Sequence, residues 1–208
     1  MDRSNIELII GIPEQFRHDA ALLYDDAFGA KFGVAVRSKE RRIELLSKSF
    51  QLQFGIAAVG EGTLLGVAGF QYGDGSLTGG MDYRRLVGVL GFLRGNWAAA
   101  VFSLYERKNK KGELLMDGIS VRSDARGRGI GGRLLDEVES YAIGQSLKSI
   151  RLDVIDSNPD AKRLYERKGF VVTKSESFEW LRWFLGFGSS DTLVKALPPK
   201  SNRPPTTD

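Results

Sequence analysis

Between an apolar stretch ending at Val121 and a helical pattern opening near Ile130, residues 121–137 read "VRSDARGRGIGGRLLDE". Four glycines (127, 129, 131 and 132) and four arginines (122, 126, 128 and 133) crowd into this stretch. Glycine weakens both strand and helix, and clustered like charges repel, so a ligand outside the chain is the expected compensation. The first N–H groups of a helix have no intrahelical partner and sit at the positive end of its dipole. Gly127, Gly129, Gly131 and Gly132, with Ile130 among them at the helix start, would let an anion reach that backbone; phosphate is the natural occupant. Arg126 and Arg128 would add charge-assisted bonds to further phosphate oxygens. The plain alternative is a glycine-rich turn with solubilising arginines.

The elements that must hold this loop follow from periodicity. "ELLMDGISV" (113–121) predicts the strand before it and "IGGRLLDEVESYAIGQ" the helix after it. "SIRLDVI" (149–155) alternates apolar and charged residues, as a strand with one wetter face does. "NPDAKRLYERKGFVV" reads as a short helix entering another strand, and "DTLVKAL" (191–197) as a last one. Upstream, "IELIIGI" (6–12) predicts a first strand and 14–30 and 38–50 two helices, the second capped by Ser38. "FGIAAVG" and "LLGVAGFQY" form a hairpin turned at 61–63. The order is mixed α/β, with a helix joining parallel strands in the second half.

Composition narrows the chemistry. Of 208 residues, 42% are hydrophobic and 27% charged, the balance of a globule able to bury its own core. Absence of cysteine excludes disulfides, thiolate metal sites and a cysteine nucleophile, and the lone His18 leaves no imidazole cluster for a metal. A net charge of +4 is mild for a nucleic-acid binder, so no nucleic-acid partner is expected. The lysine-rich "ERKNKKGE" (106–113) reads as a solvated turn. The first residues lack a secretory signal pattern, and a cytoplasmic location is the expectation.

Gly127 to Gly132 also matches G-x-G-x-x-G, with Asp153 about twenty residues on, the dinucleotide fingerprint. Two features oppose that reading: Arg122–Ser123–Asp124–Ala125 separate the strand from the first glycine, and 149–155 is not continuously apolar. A Walker loop is excluded because no Gly-Lys-Ser/Thr follows.

"ISVRSDARGRGIGGRLLDEVESYA" resembles the cofactor motif of the GCN5-related N-acetyltransferases (GNAT), Arg/Gln-x-x-Gly-x-Gly/Ala, placed on Arg126, Gly129 and Gly131. A second match follows at that family's spacing, in "DVIDSNPDAKRLYERKGFVV", with Asn158, Ala161, Tyr165 and "KGF" at 168–170. The resemblance is specific over 113–174 and agrees in strand order from residue 6. It implies a mixed, largely antiparallel sheet flanked by helices, in a single acetyltransferase domain over 1–197 with a tail at 198–208 expected to be disordered. It implies acetyl-coenzyme A as cosubstrate and a small-molecule or peptide amine as acceptor. An acyl-coenzyme A sensor on the same fold, and a dinucleotide-binding protein, are the competing readings.

By the same resemblance, the pantetheine arm lies along Ile119, Ser120 and Val121 as an added strand, with a backbone N–H polarising the thioester carbonyl. Tyr165 becomes the general acid for the departing thiolate. Asn158 precedes Pro159, so it is expected both to cap its helix and to meet the cofactor with Ala161. The base position of some members falls on Leu115, which leaves Asp117 first, Glu113 second, or a water chain. Simple alternation would put Glu113, Leu115, Asp117, Ile119 and Val121 on one face.

For the acceptor, Tyr24, Asp25, Asp26 and Phe28 offer acidic and aromatic groups able to hold a cationic amine; an exposed helix face with acid residues is the plain alternative. Residues 77–111 are expected as a helical insertion between the third and fourth strands. Its apolar run "LVGVLGFLRGNWAAAVFSLY" (86–105) holds Arg94 and Asn96, which oppose membrane insertion. With "FEWLRWFLGFG" (178–188) it is expected to wall an apolar channel; a homodimer or membrane-surface contact is the alternative.

Overall fold

The computed structural model describes residues 6–33, 35–103, 110–179, 182 and 187–199. The chain begins with β1 (Ile6–Ile10), ended by Gly11 at φ +81°. A single 3-10 turn then leads into α1 (Arg17–Gly33). Ser38 caps α2 (Lys39–Ser49) by accepting from the Arg41 N–H at 3.2 Å. The hairpin of β2 (Gly55–Gly60) and β3 (Thr63–Tyr72) turns on Glu61 and Gly62, both at positive φ. A two-residue β4 (Gly75–Ser76) folds back on β3. Two helices, α3 (Tyr83–Leu90) and α4 (Phe92–Ser103), precede β5 (Glu113–Val121). Then follow α5 (Ile130–Gly144), β6 (Ser149–Ile155), α6 (Pro159–Arg167), β7 (Val171–Ser177) and β8 (Ser189–Ala196).

The sheet order is β1-β2-β3-β5-β6-β8-β7, with every neighbouring pair antiparallel except β5 and β6. β8 therefore lies between β6 and β7, strands that precede it in the chain. One parallel pair is not the several adjacent parallel strands of a doubly wound dinucleotide fold, and that reading is set aside. Asp153, its proposed ribose ligand, instead accepts from the Thr192 hydroxyl on β8 at 2.5 Å.

Alternation along the strands divides the interior. Ile56 and Ala58 join Leu114, Met116, Leu134, Val138 and Leu152 on the side covered by α5. Ala57 and Val67 turn the other way, onto Ala20, Ala21, Tyr24 and Leu46 of α1 and α2. Each fully buried leucine contributes roughly 1.5–3 kcal/mol, so both layers stabilise the sheet that lies between them. A smaller cluster joins Leu45 of α2 to Leu86, Leu90 and Ala98 of α3 and α4. The segment expected to be helical is thus two short helices, broken at Gly91 (φ +80°) and seated on α2. Most of 178–188 and all of 200–208 lie outside the described residues, as does 104–109, so neither the channel wall nor the tail is addressed.

Candidate active site

The loop after β5 is built by backbone conformation. A 3-10 turn at Ser123–Ala125 buries Ala125, and the Arg126 Nε donates to the Val121 carbonyl at 3.1 Å, closing the loop on its own strand. Gly127 (φ +76°) and Gly129 (φ +80°, ψ 6°) are left-handed. A Cβ at either would meet nothing within 4 Å, so glycine is required there by conformation and leaves open space above the backbone. Gly129 is the N-cap of α5 and has no side chain to satisfy the helix start; the first intrahelical bond is Arg133 N–H to Gly129 O. The amides of Ile130, Gly131 and Gly132 come before that bond. Amides without an intrahelical partner, beside Arg126 and Arg128, form a cradle that can accept an anion.

The four glycines divide their work. A Cβ at Gly131 would touch Leu164 Cδ2 at 3.5 Å and one at Gly132 would touch Lys168 Cε at 3.5 Å, so these two face α6. The arginines divide too. Arg133 reaches the Ile6 carbonyl (2.8 Å) and ties α5 to β1, while Arg122 pairs with Asp124 at 2.6 Å.

β5 and β6 pair only at Glu113–Ser149, Leu114–Ile150 and Leu115–Arg151, then part. The Arg122 N–H donates to Leu65 O at 2.9 Å, so by antiparallel alternation Ser120 also addresses β3. Ile119 and Val121 thus turn their backbone groups toward the fork, where an extended ligand can add as a strand. Ser120, expected to line the arm, is instead buried, its hydroxyl donating to the Leu23 carbonyl of α1 at 2.7 Å.

Where the strands part, β5 carries a bulge. Gly69 pairs with Gly118 and Phe70 with Met116, which leaves Asp117 as the extra residue. The expected single face is split by it. Ile119 and Val121 join Leu114 and Met116 on the α5 side, whereas Asp117 faces Tyr24 of α1. Burial first and the Asp117 charge second push the Tyr24 phenol well above its ordinary value. Glu113 sits against Arg151 (3.1 Å), both nearly buried, where the two strands still pair. It braces the closed end of the fork, which favours Asp117 as the base candidate.

Tyr165 is 6% exposed, and its ring lies 6.0 Å from that of Phe170. Burial pushes its phenol up to about 12. It therefore keeps its proton through the whole working range. Ala161, one turn earlier, packs against the same cluster. Asn158 caps α6, its Oδ1 accepting from the Ala161 N–H at 3.2 Å, and is exposed. It shares the N-terminal mouth of α6, while Tyr165 lies inside.

On α1, Asp25 is buried rather than exposed: Arg42 grips it at 2.6 and 3.1 Å and also donates to the Val36 and Arg37 carbonyls. Asp26 pairs with Lys39 at 2.9 Å. These acids fasten α1 to α2 instead of waiting for an amine. The Tyr24 and Phe28 rings lie tilted against each other with centroids 4.6 Å apart, and Phe28 lies directly over Gly118. Sequence reading missed that contact; the glycine inside a strand pattern was its available signal.

The model of the acetyltransferase (GNAT) family matches residues 23–170, spanning the loop, the fork and α6. The chain belongs to the GNAT family. Solved structures share the fold at low identity. A GCN5-related N-acetyltransferase from Kribbella flavida has 14% identity and a TM-score of 0.62, covering 94% of this chain and 100% of that one. An N-acetyltransferase from Staphylococcus aureus Mu50 has 14% identity and a TM-score of 0.60, covering 93% and 99%. Another acetyltransferase has 19% identity and a TM-score of 0.60, covering 92% and 100%. Among curated proteins, none matches this GNAT chain in sequence. Among the described residues no group of side chains is arranged to hold a metal ion, and no helix is long and apolar enough to cross a membrane.

Proposed function

We propose that this GNAT protein transfers an acetyl group from acetyl-coenzyme A to a primary amine by direct attack, with both substrates bound together. The observation that carries the reading is the fork: β5 leaves β6 after Leu115, immediately before the bulge, and its bared edge runs to the Arg126–Gly132 cradle. Acetyl-coenzyme A supplies the acyl group as an activated thioester. The amides of Ile130, Gly131 and Gly132, with Arg126 and Arg128, bind its diphosphate. Ile119 and Val121 align its arm. Tyr165 holds at its hydroxyl the proton that the departing sulfur takes up, and Asp117 accepts the proton that the amine sheds. A backbone N–H beside the bulge polarises the carbonyl. Absence of cysteine leaves direct attack as the simplest route.

The burial of Tyr165 against Phe170 favours one rival, an acyl-coenzyme A sensor in which this ring is purely structural. Thiol release across a panel of amines separates them, because a chain without cysteine gives no protein background. Release with a subset of amines supports transfer. Tight acetyl-coenzyme A binding with no release from any amine establishes the sensor.

A further inference from the structure

We propose that the α3–α4 hairpin is a docking surface for an anionic lipid bilayer. Four large side chains project from it: Tyr83 is 51% exposed, Phe92 68%, Leu93 82% and Trp97 53%. They form one surface. The Tyr83 hydroxyl meets Asn96 Oδ1 at 3.2 Å, and Leu93, Asn96 and Trp97 follow i, i+3, i+4 spacing on α4. The hairpin holds them rigidly, with Leu86, Leu90 and Ala98 sunk against Leu45. The two helices touch so closely that a Cβ at Gly95 would stand 2.7 Å from Val87 Cα.

Charge selects the occupant. From Tyr83 to Ser103 there is no acidic residue, while Arg84, Arg85 and Arg94 are present. None of the three arginines is held in an ion pair among the described residues. In a contact between two copies this stretch would bring arginines against arginines with no acidic residue between 83 and 103 to offset them, which repels. Aromatic and leucine side chains beside arginines suit the boundary where headgroup phosphates overlie acyl chains. Arg94 opposes crossing the hydrocarbon, and the break at Gly91 prevents a span, but neither opposes lying at headgroup level. Of the two alternatives the sequence left for this segment, a second copy or a membrane surface, its charge favours the membrane surface.

Flotation of the full chain with phosphatidylcholine vesicles, with and without phosphatidylglycerol, tests this. The chain should float with the anionic vesicles only, and less as salt rises. Leu93→Asp should remove flotation, and R84E/R85E should weaken it by roughly tenfold or more. Leu93 and Arg84 are exposed and Arg85 is half-buried, so thermal midpoints should hold; if Leu93→Asp fails to fold, R84E/R85E carries the test. Equal binding to neutral vesicles, or no flotation at low salt, overturns the proposal. So does self-association in sedimentation velocity that Leu93→Asp abolishes without any flotation, which would assign the face to a second copy.

Discussion

The Phe28 ring closes over Gly118: a Cβ at this glycine would stand 2.3 Å from Phe28 Cζ, and the backbone there is at φ +150°. Helix α1 therefore sets the shape of the β5 bulge, and with it the place where the fork opens. Gly118→Ala should destabilise by about 1–3 kcal/mol through overpacking, read as a lowered thermal midpoint. Adding Phe28→Leu should recover part of that loss, since the two residues are in contact. An unaltered midpoint in the single variant would show that α1 yields easily.

Gly129→Glu should abolish acetyl-coenzyme A binding in calorimetry. It would place bulk and negative charge in the cradle and force a side chain onto a left-handed residue. Gly129→Ala should keep partial binding, having the strain without the charge. Tight binding by the glutamate variant would remove the diphosphate from this loop.

Much of this architecture was legible in the sequence, for local reasons. "ELLMDGISV" and "SIRLDVI" became β5 and β6 at the predicted bounds because periodicity and flanking turns agree. The loop was legible because glycine and arginine are costly there without a ligand. What alternation misjudged was the face of Ile119 and Val121, since the bulge at Asp117 depends on pairing with Gly69 and Phe70 of β3, far back in the chain. Asp25 looked like a surface acid because its partner Arg42 lies on the next helix. Such contacts between distant segments leave no period to read.

Tyr165→Phe should lower turnover by about 10²-fold or more while acetyl-coenzyme A affinity holds, as loss of a proton donor predicts. Unchanged turnover would make the ring structural. The same phenol bears on alkaline stability. It is pushed up to about 12 in the folded chain by burial, against about 10 when unfolded. Between those values the native state holds more protons, so its stabilisation, full below about pH 10, is lost as pH rises through about 12. Thermal midpoints of the wild type should fall across this window, and those of Tyr165→Phe less steeply. Parallel declines would leave Tyr24, also raised by burial, as the responsible group.

Asp25→Ala should strip Arg42 of a partner while leaving it enclosed; the two side chains are 2% and 12% exposed. Breaking such a pair costs about 3–5 kcal/mol, measurable by chemical denaturation. Asp26→Ala, at an exposed pair with Lys39, should cost no more than about 1 kcal/mol. Similar losses in both would mean that burial does not distinguish them.

The insertion of β8 between β6 and β7 sets an order of events during synthesis. As the chain leaves the ribosome, β7 emerges with no neighbour to join, and β6 keeps one edge open until Ser189–Ala196 has been made. A message cut short upstream of β8 would thus yield a sticky, half-zipped product, inviting edge-to-edge aggregation rather than a slightly weakened enzyme.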